Sequence, residues 1–193
     1  MLWIILALAL WGLLHSWTAS LSFKASFEKL FGEKIMRFYR LGYNAFSAIS
    51  LLPILYLIRI LPDAEVYTVA APWSYVMFAG RVVAVIGLFV GVFQTDTLAF
   101  IGLRQIIGLS GDERGKLVVK GLYQYVRHPL YTFGLLFIWL TSYMTENWLT
   151  VYIGATIYIV IGAYFEERKL LREFGEEYAA YKARTPMLLP KFW

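Results

Sequence analysis

Cysteine is absent from the 193 residues. That excludes disulfides, a thiolate zinc site and a cysteine nucleophile. Histidine is nearly absent: His15 and His128 are the two, so no His-rich metal cluster is expected and no metal is assigned. Charge is scarce, at 16% of the chain where about 25% is usual. There is no Rossmann glycine fingerprint, no Walker loop and no Ser/His/Asp pattern. No internal repeat or low-complexity tract is visible. What the chain has instead is apolar and aromatic side chains, 60% and 18% of its residues. A soluble protein of this size could not hide so much apolar surface, and a disordered chain would not carry it.

The apolar residues fall into runs long enough to cross a bilayer, which takes about 20 residues of helix. Five spans are expected, near residues 2–22, 42–61, 73–93, 130–145 and 148–165. The first run carries no basic segment before it and no small-residue cleavage pattern after it, so it reads as a span rather than a signal peptide. Sixteen of the eighteen basic residues fall on the side that holds the first, third and last inter-span segments. The positive-inside rule makes that side cytoplasmic. The N-terminus is then outside, and the C-terminus is cytoplasmic. The net charge of +5 is therefore a topology signal, with membrane lipids as its partners and no nucleic acid. The fold class expected is all-α: a polytopic membrane bundle of about five helices in one domain, 1–193. A cytoplasmic amphipathic helix follows the last span, because Leu170, Leu171, Phe174, Tyr178 and Tyr181 recur at helical spacing. A further short helix is expected within 100–122.

Two cytoplasmic segments carry residues suited to chemistry. In the first, Arg127-His128-Pro129 stands at the mouth of the fourth span. Proline pushes the residue before it out of helical geometry, so His128 is extended or turned and its ring can face a ligand. Equally, Pro129 starts a helix and His128 rests among headgroups. In the second, the last span runs into Glu166 and Glu167. Carboxylates at a membrane boundary are costly unless paired or functional. They are a functional pair, or solvated charges matched to Arg168, Lys169 or Lys120. Arg81, deep in the third span, has no role in either reading.

Arg127-His128-Pro129-x-Tyr131, the paired glutamates closing the last span, Phe174-Gly175-x-x-Tyr178-x-x-Tyr181 and then Pro190 resemble the isoprenylcysteine carboxyl methyltransferase and phospholipid methyltransferase superfamily of membrane enzymes. The N-terminal half narrows the resemblance. His15-Ser16-x-x-Ala19-Ser20, Tyr39-Arg40-Leu-x-Tyr43-Asn44 and Phe100-x-Gly102-Leu103-Arg104-Gln105 are similar to the NnrU-like and bacterial methanethiol S-methyltransferase branch.

The resemblance implies methyl transfer from S-adenosylmethionine at the cytoplasmic face of a multi-pass protein, by location a prokaryotic inner-membrane one. It implies a cofactor-binding part over 115–193. Lys120, Gly121, Tyr125, His128, Pro129 and Tyr131 line one wall, Glu166 and Glu167 the other, and Tyr178 and Tyr181 close it. Isoprenylcysteine methyltransferases place an arginine shortly before the glutamates; here Ile161-Gly-Ala-Tyr-Phe165 has none. That points from a carboxylate acceptor toward a small or lipophilic thiol, with Arg104 stabilising the thiolate and His15 taking its proton. Carboxyl methylation of isoprenylcysteine and phospholipid amine methylation are the alternatives within the superfamily. Outside it stands an NnrU-like membrane protein of nitric oxide or haem metabolism, in which His15 and His128 would be the axial imidazoles.

Overall fold

The computed structural model describes residues 1–95, 97, 103–106 and 117–190, with the backbone alone at 104 and 105. The described residues are mainly helical with little strand, as expected of a polytopic bundle. Among the described residues, four helices are long and apolar enough to cross a membrane: Leu2–Ala19, Tyr39–Ile60, Trp73–Phe93 and Glu146–Phe174. The fourth expected span, 130–145, is a helix only over Pro129–Trp139, followed by a strand at Tyr143–Thr145. Hydropathy alone sees one apolar run there and cannot register the change of backbone conformation after Trp139.

The residues divide into two compact units. The first holds Met1–Ala64, Leu98–Gly111 and Thr145–Gly154. Helix α1 (Leu2–Ala19) is followed by α2 (Leu21–Phe31), whose N-terminus is capped by Ser20. Helices α3 (Glu33–Met36), α4 (Tyr39–Ile49) and α5 (Leu52–Ile60) follow. Pro53, in the first turn of α5, has no amide hydrogen to give back to α4, which interrupts the spanning helix Tyr39–Ile60 at Ser50–Leu51. Ile4, Ile54 and Ile58 form the buried core, with Trp11, Leu57 and Trp148 packed on it. The buried Asn147 gives its side-chain amide to the carbonyls of Leu61 and Pro62 at 3.4 and 3.3 Å. Asp63 Oδ1 accepts the Asn147 amide at 3.0 Å, capping the start of the helix over Glu146–Phe174.

The second unit holds Glu65–Thr97, Asp112–Met144 and Ala155–Trp193. Strand β1 (Glu65–Thr68) pairs with β2 (Tyr143–Thr145). Helix α6 (Trp73–Phe93) lies against the later helix over Pro129–Trp139, and it does so through glycines. A Cβ at Gly87 would stand 2.5 Å from Phe133, and one at Gly91 would stand 2.8 Å from Leu130. These small residues let the two helices approach closely, as is common between membrane helices. Arg81 has its guanidinium 4.4 Å from the centre of the Phe137 ring, a cation–π contact within this pair. In the first unit, the short helix expected within 100–122 is present as α7, Leu103–Ile106. Helix α8 (Pro129–Trp139) leads through β2 to α9 (Glu146–Phe174), and Gly175, at φ +53°, turns the chain into α10 (Glu176–Arg184).

Candidate active site at the Arg-His-Pro turn

The approach to the site is set by Gly121. Its φ is +65°, and a Cβ there would run into the Gln94 side chain. Both features favour glycine. Gln94 Oε1 accepts the Leu122 amide at 2.8 Å, which fixes the turn over Gly121–Gln124. Val126 is buried, and Pro129 opens α8 with its ring fully buried. His128, between them, has φ −125° and ψ 67°, outside helical geometry as the following proline requires.

The two glutamates are neighbours in α9, about 100° apart around the helix, and they meet different surroundings. Glu167 is 4% exposed and lies in a clasp of cations. Arg127 Nη2 reaches its Oε1 at 2.5 Å and Lys182 Nζ its Oε2 at 2.8 Å. Arg127 also donates through Nη1 to the carbonyls of Lys182 and Thr185, at the end of α10. A buried carboxylate is tolerable when it is this fully paired. Glu166 is 44% exposed. It accepts the Tyr131 hydroxyl at 2.8 Å and lies 3.7 Å from His128 Nδ1.

The C-terminal segment closes over the turn. The Arg127 amide donates to Pro186 at 2.9 Å and the His128 amide to Met187 at 3.2 Å. Thr132 Oγ1 donates to Leu188 at 2.7 Å. The Tyr181 hydroxyl donates to the Tyr123 carbonyl at 2.5 Å. The His128 ring stacks on Tyr131, with centroids 5.3 Å apart.

Among the described residues, two buried polar atoms in this cluster have no hydrogen-bond partner. His128 Nε2 lies 3.4 Å from Glu167 Oε1 without making a hydrogen bond to it. The Tyr178 hydroxyl feels the Arg127 charge and makes no hydrogen bond of ordinary geometry. Burial holds His128 below its ordinary value of 6.5, against the pull of both glutamates, so the ring is neutral at pH 7. Burial likewise pushes Tyr123, Tyr178 and Tyr181 up to about 12, so each keeps its proton. An exposed carboxylate, aromatic faces and two unpartnered polar atoms suit a ligand that carries positive charge and hydrogen-bonding groups.

The structure thus brings together His128, Tyr131, Glu166, Glu167, Tyr178 and Tyr181. Pro129 shapes the turn, Gly121 faces Gln94, and Lys120 is exposed just before the Gly121–Gln124 turn. Tyr125 faces elsewhere, into a cavity of about 620 Å³ whose walls are mainly aliphatic. Leu122, Val126, Leu136, Leu188 and Leu189 are among them. Arg127, Lys182 and Thr185 complete the site and were not singled out as site residues in the sequence. Arg127 stood within the quoted motif; nothing local marks the other two.

His15 lies in the first unit. Ser47 gives its hydroxyl proton to the Tyr43 carbonyl at 2.7 Å, so a neutral His15 gives Nδ1–H to Ser47 Oγ at 2.9 Å. Nε2 is then the acceptor of the Tyr43 hydroxyl at 2.6 Å. Neither nitrogen is left open for an axial metal bond. Arg104 is in α7, and its side chain lies outside the described residues.

Apolar spanning helices that carry a polar, strap-closed cluster at one end of a short apolar helix define a polytopic membrane protein with a candidate ligand site at the Arg-His-Pro turn. Residues 73–177 match the phospholipid methyltransferase family, over half of the chain, and the protein belongs to that family. It is 33% identical over 193 residues to methanethiol S-methyltransferase 1 of Bradyrhizobium diazoefficiens, covering 96% of this chain and 65% of that one. It is 37% identical over 105 residues to the methanethiol S-methyltransferase of Crocosphaera subtropica, 52% and 41% of the two chains. With the Mycobacterium tuberculosis methanethiol S-methyltransferase it shares 32% over 162 residues, 78% and 63%. The chain spans about two fifths to two thirds of the length of these curated relatives. No solved structure matches it.

Proposed function

We propose that the protein is a membrane methyltransferase that uses S-adenosylmethionine and transfers its methyl group to a small or lipophilic thiol at the cytoplasmic face. The observation that carries this reading is the pairing of a half-exposed Glu166 with the unpartnered, buried His128 Nε2 and Tyr178 hydroxyl. The donor set fits the ligand. Glu166 and the faces of Tyr131 and His128 suit its cationic groups, and the two unpartnered atoms suit its polar ones. Bound there, the sulfonium supplies an electrophilic methyl group. The chain's own residues bind and orient it: Glu167, locked by Arg127 and Lys182, fixes α9 against the Arg-His-Pro turn, and the 186–188 strap shields the turn from water. His15 would take a thiol proton only through Tyr43, which occupies its Nε2. Arg104 remains the proposed stabiliser of the thiolate.

The thiol acceptor is supported by the relatives, each named for methanethiol. A second reading, a lipid acceptor such as a phospholipid amine or a prenylated cysteine, is favoured by one observation: the 620 Å³ aliphatic cavity is far larger than methanethiol needs.

The test is calorimetric titration of the detergent-solubilised protein with S-adenosylhomocysteine. Binding by the wild type, weakened about tenfold or more in His128→Ala, is the expected outcome. No binding by a folded wild type overturns the reading.

A further inference from the structure

The aliphatic cavity of the second unit has one wall in common with the candidate site. The turn before α8, one face of α8 from Thr132 to Trp139 and residues 188–190 line its volume of about 620 Å³. It is a groove rather than a closed chamber: Tyr125 at its edge is 60% exposed and Leu189 is 79% exposed. Its walls present carbon. The Thr132 hydroxyl donates to the Leu188 carbonyl, and the Trp139 indole N–H donates to Thr156 at 3.0 Å. From Thr132 to Trp139 the helix rises about 10 Å, less than one leaflet of a hydrocarbon core of about 30 Å. A groove of that length and chemistry suits part of one acyl chain.

The surrounding charge selects the lipid. Residues 114–145 and 178–193, which contain the whole lining, carry seven basic residues and no acidic one. Arg127 and Lys182 are engaged by Glu167. Lys120, just before the turn that forms one wall, and Arg184, at the end of α10, are exposed. An anionic headgroup is complementary to this surplus, and a zwitterionic one gains less.

The strap joins the groove to the site. Its backbone meets the Arg-His-Pro turn, where Pro186 and Met187 accept the amides of Arg127 and His128. Its Leu188 and Leu189 line the groove. Hydrocarbon packed on those two residues therefore stabilises the segment that holds the His128 backbone.

We propose that this groove seats one acyl chain of an anionic phospholipid from the surrounding bilayer, and that the seated chain braces the strap and tightens cofactor binding at the Arg-His-Pro turn. The lipid is a resident partner and is not consumed. Its effect on the cofactor rests on the methyltransferase reading; its presence in the groove does not.

The full chain is placed in nanodiscs of phosphatidylcholine alone, or of phosphatidylcholine with an equal part of phosphatidylglycerol. Native mass spectrometry counts the lipids retained on release, and S-adenosylhomocysteine affinity is measured in both bilayers. Two variants probe the groove. Leu136 lines it from α8 and is 37% exposed, so Leu136→Trp fills open space. Leu189→Ser removes apolar wall at an exposed position, where folding is little affected.

The wild type is expected to retain one phosphatidylglycerol and to bind S-adenosylhomocysteine about fivefold more tightly in the mixed bilayer. Both effects are expected to be lost in Leu136→Trp and weakened in Leu189→Ser. Coupling is reciprocal, so S-adenosylhomocysteine is expected to raise phosphatidylglycerol retention by the same factor. Retention that ignores the headgroup and both variants overturns the seat, since the groove then meets only ordinary boundary lipid. Retained phosphatidylglycerol with the same cofactor affinity in both bilayers overturns the coupling. Methylation of the retained lipid on addition of S-adenosylmethionine overturns the resident role and makes the groove an acceptor site. If the wild type binds no S-adenosylhomocysteine in either bilayer, the methyltransferase reading fails on its own, and lipid retention in the wild type and the two variants upholds or overturns the seat.

Discussion

Adjacent glutamates with the same chemistry have opposite environments here, and that separates their expected effects. Glu167 is buried between Arg127 and Lys182, so removing its charge leaves a buried guanidinium unpaired. Glu167→Gln is expected to destabilise the protein by about 3 kcal/mol, measured by thermal or denaturant unfolding in detergent. Glu166 is half exposed and meets Tyr131 and His128, so Glu166→Gln is expected to leave stability within about 0.5 kcal/mol. It is expected to weaken S-adenosylhomocysteine binding about tenfold. Equal stability losses in the two variants would contradict this assignment. The sequence makes the pair visible and cannot tell its members apart. Their difference comes from which way each faces on α9, and from a cation, Lys182, supplied by another helix.

At the scale of elements, the apolar runs and their charged boundaries predict most of the helices. The α6–α8 contact is legible only in part. Gly87 and Gly91 stand four apart, the spacing of close helix packing, but the partner residues Phe133 and Leu130 are set by the fold. Gly87→Ala would press a methyl group into the Phe133 ring. It is expected to cost about 1–3 kcal/mol, whereas Gly134→Ala in α8, where a Cβ meets nothing within 4 Å, is expected to be neutral or mildly stabilising. Comparing the two variants by thermal unfolding checks the contact. The expected fourth span shows the limit of the method. Residues 130–145 carry no charge, yet the helix ends at Trp139 and the chain turns into β2, which is paired with β1. Strand pairing over so long a separation leaves no trace in local hydropathy.

For the whole molecule, the distribution of lysine and arginine is the strongest signal, and it predicts an orientation. Reporters that fluoresce only in the cytoplasm are expected to be active when fused after residue 193 and inactive when inserted at residue 64. The reverse pattern would invert the membrane orientation and place the Arg-His-Pro site on the outer face. Sequence by itself determined that the chain is helical, that it crosses a membrane and which segments hold its ionisable residues. Those properties depend on composition and on periodicities of a few residues. Only the tertiary structure decided that Arg127 locks Glu167, that Glu166 stays open beside Tyr131, and that the 186–188 strap lies along the turn. The contacts responsible join residues 35 to 59 positions apart in the chain. Burial and charge pairing are properties of such meetings, so no local pattern encodes them.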